Sequence, residues 1–331
     1  MTSVHEDWLC TARKAKRLAL IAHVSPDGDT VGATLALRLA FLSLGKAVDV
    51  VCDGEPPASM DFLTGYDAFR RPEQIAGPYD TAIAVDVSDR SMMGKSLAVF
   101  DSAPVRMVID HHATNPAYGD VNFIRGGESA CCLLAFEAIE ALGVPMTREM
   151  GTCLMLGMST DTGHFQYPAT SPATLAAAAK LLALGVDISY ITRRVYRTQP
   201  LCRVNLTRIA YQKLRFELGG QVGVIELNRK DFEETGCTVG QADGLVNKAL
   251  EVEGVRMAVL ASEREDGIKM SLRAVEPDTV NDIAVQFGGG GHAQAAGCTI
   301  QDTLEGATKR VLCAMGEKLQ RLAQEEAERR G

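Results

Sequence analysis

Leu18-Ala19-Leu20-Ile21-Ala22-His23-Val24-Ser25-Pro26-Asp27-Gly28-Asp29-Thr30 is the most informative stretch of the chain. Leu18 to His23 has the length and apolar character of a buried strand. Thr30 to Gly45 follows with Leu35, Leu39 and Leu42 on one helical face and Gly45 as a stop signal. Between them lies a turn of one histidine and two aspartates. The same alternation continues along the chain. Ala47 to Cys52, Thr81 to Asp86 and Val105 to Ile109 read as strands, while Glu128 to Leu142 and Thr147 to Met158 read as helices. Strands alternating with helices predict an α/β domain with a doubly wound, mainly parallel sheet.

Composition sets limits on the class. At 331 residues the chain is long for one core, so two domains are expected. Hydrophobic residues at 46% and charged residues at 23% describe a globular protein rather than a disordered or membrane-spanning one. No apolar run reaches transmembrane length. The first residues, Met1 to Asp7, lack the basic-then-apolar profile of a signal peptide, which predicts a cytoplasmic protein. Nine cysteines without a C-x-x-C pair fit reduced thiols better than disulfides or a zinc ribbon. A net charge of −8 disfavours duplex DNA as a partner, yet bound cations can reverse a local field.

Beyond about residue 187 the pattern changes. Residues 188–205 read as a basic linker, with Arg193, Arg194, Arg197 and Arg203, between a first domain at 1–187 and a second at 206–331. Lys213 to Leu218 with Gln221 to Leu227, and Arg256 to Glu263 with Ile268 to Arg273, read as hairpins. Val239 to Leu250 reads as a helix, and Thr303 to Arg330 as a charged amphipathic one. The second domain is therefore expected to be a smaller mixed α/β unit, set across a cleft from the first.

Four clusters carry the chemistry: His23 with Asp27 and Asp29; Asp86; Asp110-His111-His112; and Asp161. Three of them sit where predicted strands end, the edge at which an open α/β sheet places its ligand crevice. Carboxylates converging there repel one another unless cations intervene, and two divalent ions balance the charge as a two-metal site requires. A mixed His and Asp set suits Mn²⁺ better than Mg²⁺, with Zn²⁺ or Co²⁺ as alternatives. Singly, each residue has a plainer reading: Asp29 as the N-cap of the helix at Thr30, Asp27-Gly28 as a turn, Asp86 as a loop start, either histidine as a hydrogen-bonded core residue. Their shared placement favours the metal site. His164 and His5 are not assigned to it.

In the second domain, Gly288-Gly289-Gly290-Gly291-His292 would expose backbone N–H groups and begin a helix facing an anion. Arg273 would add a bidentate contact to a phosphate. The run lacks the order of a P-loop or a Rossmann fingerprint.

The order H-V-S-P-D-G-D, A-V-D, D-H-H, S-T-D-T-G resembles the four motifs of the DHH phosphoesterase superfamily. S-L-R and G-G-G-G-H-A-Q-A-A-G look like the substrate motifs of the DHH-associated C-terminal domain. The likeness spans about residues 18 to 300 and is nearest to the branch of nanoRNases and pAp phosphatases. It implies that His23 and Asp27 hold one metal and Asp29, His111 and Asp161 the other, with Asp86 bridging. It implies that Asp110 orients ligands and that His112 faces the scissile phosphate. Arg273, Gly288, Gly289, Gly290, Gly291 and His292 would grip the substrate. The implied activity is hydrolysis of short single-stranded RNA to mononucleotides, and of pAp to AMP, through a hydroxide activated between two metals, in a homodimer. The alternatives are a phosphodiesterase for linear pApA or pGpG and, from another class, a non-catalytic nucleotide sensor.

Overall fold

The computed structural model describes residues 6–330, so His5 and the start of the chain lie outside the described residues. The chain falls into two compact units that divide between Thr198 and Gln199.

The first unit runs α1 (Glu6–Lys14), β1 (Arg17–Ile21), α2 (Gly28–Ser43), β2 (Ala47–Val51), β3 (Phe69–Arg70), β4 (Thr81–Val85), α3 (Ser96–Ser102), β5 (Val105–Asp110) and β6 (Val121–Ile124). It continues with α4 (Cys131–Leu142), α5 (Arg148–Asp161), α6 (Pro172–Ala183) and α7 (Ile188–Thr192). The six strands are all parallel, in the order β3-β2-β1-β4-β5-β6. Both faces are covered, which is why β1 and β4 read as continuous apolar runs. Leu18 and Leu20 enter the core beneath α2, α4 and α5, whereas Ala19 and Ile21 enter the core beneath α3. Because β1 pairs with β2 on one side and β4 on the other, the strand order reverses there, opening a crevice beyond the carboxyl ends of these strands.

Helices α2 and α5 pack unusually closely. A Cβ on Gly32 would sit 2.4 Å from the Cys153 carbonyl, and one on Gly157 would sit 2.9 Å from the Asp29 Cα. A side chain at either glycine would hold the two helices apart.

The first unit ends in helical turns. Residues 188–205, expected as a linker, hold α7, a π-helical turn at Arg193–Arg197 and the start of α8. Asp187 caps α7 through the Tyr190 N–H, and Arg194 pairs with Asp61 while lying 5.1 Å from the Phe62 ring centre.

The second unit comprises α8 (Leu201–Lys213), β7 (Arg215–Glu217), β8 (Val222–Leu227), α9 (Arg229–Thr235), α10 (Asn247–Leu250), β9 (Met257–Arg264) and β10 (Gly267–Ala274). It closes with α11 (Asn281–Gln286), β11 (Gly290–His292), β12 (Ala295–Ile300) and α12 (Leu304–Arg330). Its sheet order is β11-β12-β10-β9-β8-β7, antiparallel except for the β8–β9 pair. The predicted helix at 239–250 is instead a 3₁₀ turn at Val239–Ala242 and the short α10, because Gly244 takes φ +85° between them.

Candidate metal centre

The four clusters converge at the carboxyl edge of the first sheet. His23 follows β1, Asp86 follows β4, Asp110 ends β5, and Asp161 ends α5. Potential ligand atoms lie within 4.8 Å of one another in three groups: His23, Asp27, Asp86; Asp29, His111, Asp161; and Asp86, His111, His112.

Asp27, not Asp29, is the N-cap of α2: its Oδ1 accepts from the N–H groups of Asp29 and Thr30, both at 3.0 Å. Capping by Asp27 starts the helix early and turns Asp29 inward, where it is fully buried. The first turn of α4 meets it there. Cys131 N–H donates to Asp29 Oδ2 at 2.5 Å and Cys132 N–H to Oδ1 at 2.8 Å, as helix N-termini do toward anions. Asp86 takes φ +59°, which a non-glycine residue rarely adopts, and accepts from Thr30 Oγ1 at 2.7 Å through Oδ2. Its other oxygen, Oδ1, is buried and has no hydrogen-bond partner among the described residues.

The two histidines of Asp110-His111-His112 are held differently. His111 Nδ1 donates to the Glu128 carbonyl at 2.9 Å, which leaves Nε2 facing Asp161 Oδ2 at 3.3 Å, Asp86 Oδ1 at 3.5 Å and Asp29 Oδ2 at 3.8 Å. His112 Nδ1 donates instead to Asp110 Oδ1 at 2.8 Å. That bond occupies the His112 nitrogen nearest Asp86, at 3.7 Å, so His112 fits a cation less well than His111 does. Asp110 is fully buried, and its Oδ2 accepts from Asn115 Nδ2 at 2.6 Å.

The carboxyl groups raise one another's pKa values. Burial first, then repulsion from Asp161, Asp86 and Asp27, holds the Asp29 carboxyl well above the ordinary range. Burial and Asp27 raise Asp86, and burial with Asp86 and Asp27 raises Asp161 to about 8. The hydrogen bond to Asp110 raises His112 to about 9. Crowded carboxyls, a buried carboxylate oxygen without a hydrogen bond and an imidazole nitrogen aimed at them form a donor set that fits divalent cations.

Thr30 and Asn115 are parts of this arrangement that the sequence did not reveal. A threonine in a first helical turn and an asparagine beyond a strand look like ordinary capping and turn residues. His164 engages both ring nitrogens, with Ser159 Oγ at 2.9 Å and Thr192 Oγ1 at 3.2 Å, in a turn where it and Phe165 both have positive φ.

In the second unit, Arg273, Ala295 and His292 lie in one row across β10, β12 and β11, so Arg273 and His292 share a face of the sheet. Arg273 donates to the Leu272 carbonyl and is paired with no carboxylate among the described residues. The glycines differ from expectation. Gly288 and Gly289 N–H groups donate to Val285 and Ala284 carbonyls at the end of α11, so they are not free for an anion. His292 ends strand β11 rather than beginning a helix, because Gly290 to His292 pair with β12. A Cβ on Gly289 or Gly291 would strike that strand, 2.1 Å from the Gly297 carbonyl and 2.5 Å from the Ala295 carbonyl, while Gly290 faces open space.

Residues 17–158 match the DHH family N-terminal domain and residues 219–322 the DHHA1 domain. The chain is 33% identical to the bifunctional oligoribonuclease and PAP phosphatase NrnA of Thermus thermophilus, over 91% of this chain and 90% of that one. It is 25% identical to the Bacillus subtilis protein of the same name, over 86% and 89%. An exopolyphosphatase-related protein from Bacteroides fragilis, 25% identical, superposes with a TM-score of 0.89 over 96% of this chain and 97% of its own. The paired domain matches and a relative aligned over nearly its full length agree with the geometry of the site: this chain belongs to the DHH family, carries a DHHA1 domain and is a phosphoesterase.

Proposed function

We propose that this phosphoesterase hydrolyses short oligoribonucleotides to mononucleotides and also converts pAp to AMP, with two divalent cations, Mn²⁺ foremost. The observation that carries the reading is the Thermus thermophilus relative, whose name states both activities and whose alignment covers both domains. The convergence of His23, Asp27, Asp29, Asp86, His111 and Asp161 supports it independently.

In this reading His23 and Asp27 would hold one cation and Asp29, His111 and Asp161 the other, with Asp86 able to serve both. Bound cations would supply Lewis-acid neutralisation of phosphoryl charge and a water acidified toward neutral pH. The chain's own groups do the rest. Asp110, fixed by Asn115, orients His112 through Nδ1 and keeps the imidazole protonated. His112, the more exposed of the pair, then presents Nε2–H to the phosphoryl oxygens or the leaving oxygen. Arg273 and His292 contact another part of the substrate, with Gly290 offering a bare stretch of strand beside them.

A time course with Mn²⁺ and 5′-labelled RNAs of about two to twenty-four nucleotides, beside pAp and linear pApA, tests the proposal. Release of mononucleotides from the shortest RNAs and of AMP from pAp is the expected result. Cleavage of pApA alone would replace it with a dedicated dinucleotide phosphodiesterase. Rapid degradation of only the longest strands would overturn it.

A further inference from the structure

The Nε2 of His111 faces the carboxylates because its Nδ1–H is held by one acceptor, the Glu128 carbonyl. That carbonyl lies in the segment between β6 and α4, which lies against the histidines: Arg125 N–H donates to the Asp110 carbonyl at 3.1 Å and Gly127 N–H to the His111 carbonyl at 3.2 Å. Two side chains anchor the segment: Ser129, whose buried hydroxyl lies 2.6 Å from Thr174 Oγ1, and Arg125, whose guanidinium is the one that reaches Glu128 itself. Its Nη1 is 3.1 Å from Glu128 Oε1 and 3.1 Å from Glu137 Oε1, and its Nη2 is 2.6 Å from Glu137 Oε2. The three side chains are only 19%, 21% and 22% exposed, so solvent screens them poorly. Glu137 lies on α4, the helix whose first N–H groups hold Asp29. Without the arginine, two half-buried carboxylates would repel, and Glu128 would be pushed from the position that places its carbonyl on His111.

We propose that Arg125 is a positioning residue for the metal centre: by clamping Glu128 to Glu137 it holds the Glu128 carbonyl on His111 and fixes that imidazole as its Nδ1–H tautomer. The inference rests on the reading of His111 as a cation ligand. It follows the general rule that the groups behind a ligating histidine set its tautomer and ring orientation. A planar guanidinium suits the task because it bridges two carboxylates at fixed geometry, which the point charge of a lysine does not. The competing role is structural only, a staple between β6 and α4 that leaves His111 unaffected.

The test uses the full chain, stripped of metal, as wild type, Arg125→Met, Arg125→Lys and His111→Ala. Mn²⁺ affinity is measured by calorimetric titration, the His111 tautomer by ¹⁵N–¹H correlation of the imidazole, and melting temperature without metal. Arg125→Met should weaken Mn²⁺ binding about 10- to 100-fold and turn the single Nδ1–H form into a mixture. Arg125→Lys should fall between it and wild type. A lower melting temperature with unchanged Mn²⁺ affinity and an unchanged tautomer would make Arg125 a staple and overturn the inference. Should Arg125→Met not fold, the lysine variant decides: wild-type affinity and tautomer overturn the inference, and partial loss of both supports it. His111→Ala separates the two layers. If it binds Mn²⁺ like wild type, the reading of His111 as a ligand fails; if it loses a cation while Arg125→Met does not weaken binding, only the inference fails.

Discussion

Asp86 combines a backbone in the left-handed region with a buried carboxylate oxygen that no hydrogen bond from the described residues satisfies. Strain and an unpaired buried acceptor each cost free energy and persist where the surroundings and a ligand compensate. Replacing Asp86 with alanine should therefore lower turnover by more than the roughly 100-fold reached when supporting residues are lost, and metal analysis should show cation loss. Near-normal activity at saturating Mn²⁺ would remove Asp86 from the centre. His112→Ala is expected to behave differently, cutting turnover while both cations remain, because its Nδ1 is committed to Asp110. Loss of one cation per chain in that variant would make His112 a ligand. At this scale the sequence was legible wherever His and Asp stood at strand ends, since such clusters have few other uses. Thr30 and Asn115 were not legible. Their parts in the site depend on which distant carboxylate they reach, Asp86 for one and Asp110 for the other.

Strands and helices were legible where period and boundary agreed. The runs at Leu18, Ala47, Thr81 and Val105 became β1, β2, β4 and β5, and the helical patterns at Thr30, Glu128 and Thr147 became α2, α4 and α5. The two-residue β3 and four-residue β6 are too short to show a period, so tertiary pairing defines them. The glycine run misled because a glycine's reason lies in its neighbours. Gly289 is required by contact with β12, whereas Gly290 has open space. Gly289→Ala should thus lower the melting temperature, with a cost of about 1–3 kcal/mol from overpacking, while Gly290→Ala should fold normally and lose activity on pAp and dinucleotides. Thermal melts and kinetics on the two variants check this, and equal melting losses would make the whole run structural. The same logic applies where α2 meets α5. Gly157→Ala places a methyl 2.7 Å from Asp29 Oδ1 as well as against Cys132, so both stability and Mn²⁺ affinity should fall in that variant.

On the scale of the whole molecule, the crowded carboxyls make stability depend on pH in an unusual direction. Asp161, raised to about 8, stays protonated in the native metal-free state at pH values where the unfolded chain has already ionised it. Between the two pKa values the native state binds more protons, so this group's contribution to stability is lost as pH rises toward 8. Asp161→Asn removes the effect. Without metal, its melting temperature should match wild type near pH 4 and exceed it by a few degrees at pH 8. Excess Mn²⁺ should reverse the ranking, because only wild type retains every ligand. A constant difference across pH would show that Asp161 does not titrate this way. Arg273→Ala tests the division of labour between units. It should cost about 30- to 800-fold in kcat/KM on dinucleotides and pAp, yet little on bis-p-nitrophenyl phosphate, which offers no second charged group. Equal losses on all three would move Arg273 to the reacting phosphate. The pattern in the sequence changes after residue 187, whereas the structure divides the chain between Thr198 and Gln199. The helical character of 188–205 was not legible, because pairs such as Arg194 with Asp61 join residues far apart in sequence.

The turn after α5 has a mechanical consequence. Tyr196 donates to the Ser159 carbonyl at 2.9 Å, and Thr192 is hydrogen-bonded to His164, so the last turns before Thr198 are fastened beside Asp161. Tension applied to the chain at Thr198 would load these bonds and the Arg194–Asp61 pair before it reached α5. In an optical trap pulling from that point, the first small rip should coincide with weakened Mn²⁺ affinity, with the sheet still intact. The centre would behave as a fuse, failing under force well before the domain that carries it.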